Sequence, residues 1–255
     1  MADVSWLTGF GGTSGLAVVG PEVRIFVTDF RYAEQARAIP GSFEVVEASA
    51  RMVAEVAGLL RGRVGIDEAR TSVDVHRRLR EEAGEGVELV AAEGLVEGLR
   101  RVKDEGEIEA VAAAARLCDE VFAAVEEAGL AGRTERQVKL AAEARMRELG
   151  AEPSFATIVA AGPNGARPHA VAGERTIERG EYVVVDMGAL LDGYCSDGTR
   201  TLVDGEPQAG QREVYELVLA AQLAGLEAVR AGASGREVDA VARDLIAEGG
   251  QGERF

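Results

Sequence analysis

The sequence predicts an α/β domain followed by a helix-rich segment folded around a hairpin. Three observations lead there. Over the first hundred residues, short apolar runs alternate with helical stretches, the pattern of an α/β fold. Near Gly98 the texture changes to a long Ala- and Glu-rich stretch. Between Val183 and Thr201 two β-forming runs flank a tight turn, and each carries one aspartate, Asp186 or Asp197.

Taken in order, "GLAVVG", "VRIFVTD", "FEVVE" and "RVGIDE" are short runs rich in β-branched residues and read as strands. "RYAEQARAI", "ARMVAEVAGLLRG" and "SVDVHRRLREEAG" space their apolar residues as helices do. "GFGGTSG" (Gly9 to Gly15) loosely mimics a phosphate loop. It lacks the Lys-Ser/Thr ending and a following helix, so it is expected to be a turn between strands. A domain boundary is expected around Leu99 to Lys103, dividing 1–98 from 99–255.

Beyond it, residues 99–129 read as one long stretch, with Ile108, Val111, Ala115, Cys118, Val121, Phe122 and Val125 at helical spacing. "TERQVKLAAEARMRELG" is a second helix, with Thr134 as N-cap and Gly150 as its stop. "SFATIVAAG" reads as a strand and "NGARPHA" as a loop. The hairpin follows, then two helices, "QREVYELVLAAQLAGLEAVRAG" and "SGREVDAVARDLIAEGG".

Composition narrows the function classes. The 255 residues carry a formal net charge of -16, with 44 acidic against 28 basic residues. Such a surface repels nucleic acid phosphates and acidic lipid, so neither is an expected partner. No apolar run approaches the roughly 18 residues that span a bilayer, and the first residues lack the pattern of a secretory signal. The cytoplasm is the expected location. Two cysteines, Cys118 and Cys195, make no disulfide framework. Cys195 has no basic neighbour and is expected to pack rather than react. Two histidines, His76 and His169, are too few for a His-rich zinc site. His76 lies in a charged helix and reads as a solvated-face residue.

The geometry of the aspartates depends on the turn. A two-residue loop at Leu191-Asp192 sets Asp186 directly opposite Asp197. A loop at Asp192-Gly193, a favoured hairpin dipeptide, sets them diagonally on the same face. A three-residue loop puts them on different faces. In the first two cases the Cβ atoms stand about 4.5–8 Å apart. Facing carboxylates repel, and burial sharpens the cost unless a proton or cation compensates. A bridging divalent cation with hard oxygen ligands is one answer. Solvent-facing strand residues in ordinary ion pairs, with Arg200 as partner, are the other.

The residues also resemble a known family. "LRRVKDEGEIEAVAAAA", "SFATIVAAGPNGARPHA", "GEYVVVDMGALLDGYCSDGTRTL" and the segment from Val214 to Ile246 resemble the creatinase/prolidase branch of the M24 metallopeptidases. "WLTGFGGTSG" and "FVTDFRYAEQA" resemble that family's N-terminal domain. The resemblance implies an α/β N-terminal domain joined to an α+β pita-bread domain. It implies hydrolysis of Xaa-Pro peptide bonds by a metal-bound hydroxide, with a dipeptidase or aminopeptidase habit. The family uses two divalent ions, Mn or Co, with Zn or Fe as alternatives. Its ligands are two Asp, one His and two Glu; the two Asp correspond to Asp186 and Asp197. The histidine of "PHA", which stabilises the tetrahedral centre, corresponds to His169. The implied substrate has proline at its second position, and the implied assembly is a homodimer.

The sequence also departs from that family. There, a His-Gly-x-Gly-His segment supplies the His ligand and a further histidine, and the two Glu come later still. No histidine follows His169 here. The family also has a strand and helix ahead of the "WLTGF"-like segment. The expectation is therefore a fragment: a late start, the first half of a pita-bread domain, and little or no activity alone. Its sheet is expected to show an uncovered edge and an exposed apolar face. Two other readings are a creatinase-like C–N hydrolase and a non-catalytic pita-bread binding module.

Overall fold

A computed structural model describes residues 2–39, 41 and 43–255. The chain divides into two compact units, residues 1–106 and 107–255.

The first unit runs α1 (Ala2–Thr8), β1 (Leu16–Val19), β2 (Arg24–Asp29), α2 (Ala33–Arg37), β3 (Glu44–Ala48), α3 (Met52–Leu59), β4 (Arg63–Ile66), α4 (Val73–Glu82), β5 (Glu88–Ala91) and α5 (Leu95–Arg101). β1 pairs antiparallel with β2, and β2 pairs parallel with β3. β4 and β5 form a separate parallel pair. Parallel pairs need crossover connections, and α2 and α4 occupy them, while α3 links the two sheets in sequence. Val27, Ala48, Val56, Ala57, Leu60, Ile66 and Leu79 form one core, and Phe10, Phe26 and Ala36 a second.

The glycine-rich "GFGGTSG" joins a helix to a strand, not two strands. The seven residues of α1 are too few to announce a helix by periodicity alone. The glycines serve packing. A methyl at Gly12 would overlap the Phe10 ring, and one at Gly15 the Phe26 ring. The two rings themselves meet at 4.7 Å between centroids.

The second unit runs α6 (Glu105–Ala128), α7 (Glu135–Glu148), β6 (Glu152–Pro153), β7 (Ile158–Ala161), a 3-10 turn (Gly162–Ala166), β8 (Val183–Met187), β9 (Ala189–Leu191), β10 (Tyr194–Cys195), β11 (Gly198–Leu202), α8 (Gln211–Ala228), α9 (Gly235–Glu248) and a last 3-10 turn (Gly252–Arg254). The stretch at 99–129 is thus not one helix. It breaks between α5 and α6, where Val102 is extended. The buried stripe of α6 is Ala114, Leu117, Cys118, Val121, Phe122 and Val125. Ile108, Val111 and Ala115, expected on it, are exposed.

Thr134 caps α7 as its sequence predicts. Its hydroxyl accepts the Gln137 N–H at 3.2 Å, and Gln137 Oε1 accepts the Thr134 N–H at 2.9 Å. Gly150, at φ +89°, ends the helix.

β8 is the centre of a three-stranded antiparallel sheet, with β7 and β11 as its edges. Alternation gives the sheet two faces. Val183, Val185 and Met187 enter a core with Val121, Phe122, Val138 and Met146. Val184 and Asp186 lie on the other, open face and are half-buried. Exposed apolar side chains of this unit include several along α8, among them Val218, Leu223 and Leu226. α8 buries only Ala221, because it packs mainly on α9. No helix of the described residues is long and apolar enough to cross a membrane.

Candidate metal centre

The turn is Asp192-Gly193, with φ of 49° and 86°. Both residues stand in the left-handed region, as the tight hairpin turn favoured by Asp-Gly requires. Leu191 pairs with Tyr194 and Leu190 with Cys195. The same register reappears where Met187 pairs with Gly198 and Asp186 with Thr199. No residue is gained or lost in between, so alternation carries through residues 196–197. Asp197 is therefore diagonal to Asp186 on the same face, as the second of the three sequence registers requires.

Between the two ladders the hairpin is pinned at Gly188. The Gly188 carbonyl accepts the Ser154 N–H at 2.9 Å, and the Ser154 hydroxyl donates to the Ser196 carbonyl at 3.0 Å. A methyl at Gly188 would collide with the Ser196 carbonyl and the Ser154 hydroxyl. Ser196 is buried; its hydroxyl donates to the Ala114 carbonyl of α6 and accepts the Ala189 N–H, both at 3.0 Å. The peptide just before Asp197 is thereby tied to a helix and to the facing strand.

The carboxylates are less buried than strand positions imply, and Asp197 lies in the break between β10 and β11 rather than inside a strand. Asp186 is half-buried and Asp197 is exposed. Asp186 Oδ1 accepts the Thr199 hydroxyl at 2.8 Å. Thr199 went unread as a functional residue; its signal is its place two residues after Asp197, on the same strand face. The ion pair with Arg200 does not form. Arg200 follows Thr199 and points to the opposite face, where it stacks on Phe122 at 4.9 Å and pairs with Asp119 at 3.2 Å.

His169 is exposed in a turn just past the 3-10 turn that follows β7. That 3-10 turn lies against the open face, since a side chain at Gly165 would meet Val184 Cγ2 at 3.7 Å. The loop carrying His169 thus begins over the face that bears Asp186. No hydrogen bond or ion pair joins His169 to either aspartate among the described residues. His76 is half-buried on α4, in the other unit.

Cys195 does not pack: it is exposed, because it alternates with the half-buried Tyr194. Cys118 is the buried one, and burial pushes its thiol pKa upward, which keeps it protonated and inert.

The donor set suits a hard cation. Asp186 keeps Oδ2 free of protein hydrogen bonds, and Asp197 makes no hydrogen bond or ion pair among the described residues. Anionic oxygens on an open face, one of them oriented by a hydroxyl, fit Mn-type or Mg-type ligation. Two carboxylates do not fill a coordination sphere. Another acidic cluster, Asp3 with Asp67 and Glu97, lies in the first unit. Arg70 pairs with Asp3 at 2.9 Å and Glu97 at 2.7 Å, and Arg100 also pairs with Asp3, so two arginines already engage that cluster.

Comparison with known proteins follows the same division. Residues 109–255 match metallopeptidase family M24, and residues 1–102 match the creatinase/prolidase N-terminal domain. An uncharacterized peptidase of Bacillus subtilis, YqhT, is 35% identical over 99% of this chain and 73% of its own length. An Xaa-Pro dipeptidase of Pyrococcus furiosus is 44% identical over 66% of this chain, a match spanning 49% of that protein. The Xaa-Pro dipeptidase structure from Bacillus anthracis superposes with a TM-score of 0.93 at 37% identity, over 98% of this chain and 72% of that one. An X-Pro aminopeptidase structure from Thermotoga maritima gives 0.92 at 34% identity, over 99% of this chain and 73% of that one.

Proposed function

The chain belongs to metallopeptidase family M24, with the creatinase/prolidase N-terminal domain ahead of it, and on that premise we propose that Asp186 and Asp197 are two ligands of a dinuclear site for cleaving Xaa-Pro peptide bonds. The observation that carries this reading is the unbroken hairpin register. It holds two carboxylates diagonally on one open face while Arg200 turns away to the other. Two divalent ions, Mn or Co by resemblance, supply Lewis acidity and an activated water when bound. Asp186 and Asp197 would hold them, with Thr199 fixing the Asp186 carboxylate. His169 would donate a hydrogen bond to the carbonyl oxygen of the scissile bond as charge develops there. The substrate class, a peptide with proline second, rests on relatives that are Xaa-Pro dipeptidases and an X-Pro aminopeptidase.

We further propose that these 255 residues do not turn over by themselves. Of the five ligands the family resemblance implies, the sequence holds the two aspartates and no histidine beyond His169. The test is calorimetric titration of the purified chain with manganese, alongside an Xaa-Pro dipeptide assay. Weak manganese binding that Asp186→Asn abolishes, without hydrolysis, is expected. Metal-dependent hydrolysis lost in Asp186→Asn would overturn the inactivity, and manganese binding indifferent to that substitution would overturn the site.

A further inference from the structure

Glu135, the first residue of α7, is fully buried, a costly place for a carboxylate that has to be offset. On sequence grounds it is an ordinary acidic residue at a helix start, favoured there by the helix dipole. The structure gives it a different task. Its Oε1 accepts the Ala161 N–H and the Asn164 side-chain amide, both at 2.9 Å, and its Oε2 accepts the Gly173 N–H at 3.1 Å. The main chain of the same helical turn adds two bonds: the Glu135 N–H donates to the Arg175 carbonyl at 3.1 Å and the Arg136 N–H to the Gly173 carbonyl at 3.0 Å.

Ala161 ends β7, Asn164 lies in the 3-10 turn, and Gly173 lies beyond His169. One buried carboxylate therefore grips both the entry and the exit of the loop that carries His169. Both oxygens are used as acceptors, which a carboxylate allows and an amide does not.

We infer that Glu135 is the positioning residue for His169: its two oxygens clamp the ends of loop 162–173 and so set where the His169 ring stands over the open face of the sheet. The inference rests on the reading of His169 as the group that meets the scissile carbonyl. Glu135 touches neither aspartate and acts only through the loop.

The chain's two histidines make the test direct, because His76 on α4 is an internal control for His169. Ring proton spectra and amide hydrogen exchange are recorded on the full chain as wild type, Glu135→Gln, Glu135→Asp and Val138→Ala. Val138 is buried on the same helix and supplies a destabilised control that leaves the Glu135 hydrogen bonds to the loop in place. Glu135→Gln keeps one acceptor and turns an NH2 group toward a donor. It is expected to speed exchange in 162–173 by about tenfold or more while β8 and α6 keep their rates. The His169 ring signals shift or broaden and those of His76 do not. Glu135→Asp keeps the charge but loses reach, and gives the same localised result should the glutamine variant not fold. Exchange that rises evenly in both variants, as in Val138→Ala, or His169 signals that stay in place, would overturn the clamp. Manganese titration of the wild-type sample separates the two readings: absent binding removes the metal site and leaves a localised clamp standing.

Discussion

Thr199 donates its hydroxyl hydrogen to Asp186 Oδ1 at 2.8 Å, directly across the β8–β11 ladder. The bond fixes the plane of the carboxylate and leaves the second oxygen pointing away from it. Ligand carboxylates held this way lose affinity when the outer partner is removed.

Thr199→Val keeps the β-branched shape and deletes the hydroxyl. We expect manganese affinity of the chain to fall about tenfold with the fold intact, read by calorimetric titration. Unchanged affinity would mean that the Asp186 orientation is irrelevant to the ion.

Asp197 is exposed and unpaired among the described residues, so it contributes little to the metal-free fold. Asp197→Asn should leave urea-unfolding stability in EDTA within about 0.5 kcal/mol of wild type. It should remove the rise in melting temperature that manganese produces through binding to the folded state. A melting temperature that still rises with manganese would take Asp197 out of the ligand set.

Gly188 stands against the Ser196 carbonyl with no room for a Cβ. Gly188→Ala forces apart two strands pinned by the Ser154 and Ser196 bonds. Overpacking of this kind costs about 1–3 kcal/mol, with backbone partners at the upper end. Chemical unfolding measures it, and a neutral substitution would show that the hairpin can open here.

Glu181 is buried beside Arg175, whose guanidinium hydrogen bonds hold its carboxyl below the ordinary glutamate range against the opposing effect of burial. A lowered folded-state pKa stabilises the fold above the unfolded-state value and is lost as pH falls through the folded value. Wild type should therefore lose stability on acidification below about pH 4.5, the ordinary glutamate region. Arg175→Gln should be less stable at pH 7, and its deficit against wild type should shrink as pH falls through that region. A deficit constant from pH 7 to pH 3 would mean that Arg175 acts by packing alone.

Much of this was legible in residue order. Helical spacing marks α6 and α7, Thr134 announces the cap, and two of the three simple hairpin registers, the Asp192-Gly193 turn among them, keep Asp186 and Asp197 on one face. Other features were not. α1 is too short to show a period, and its Asp3 is buried through an ion pair with Arg100, far along the chain. Ile108 and Val111 fit the apolar stripe of α6 by spacing, yet spacing says nothing of which turns of a helix its neighbours cover.

The same division holds at the site. The sequence by itself determined which residues could share a strand face, because alternation and turn chemistry are local properties of a few adjacent residues. Only the tertiary structure decided which of the two faces the core covers. It also decided that Arg200 joins Phe122 and Asp119 rather than the aspartates, and that Glu135 is a buried clamp and not a solvated helix end. These depend on burial and on hydrogen bonds between residues distant in the chain, such as Glu135 with Ala161 and Gly173. Such contacts exist only once the helices have closed over one side of the sheet.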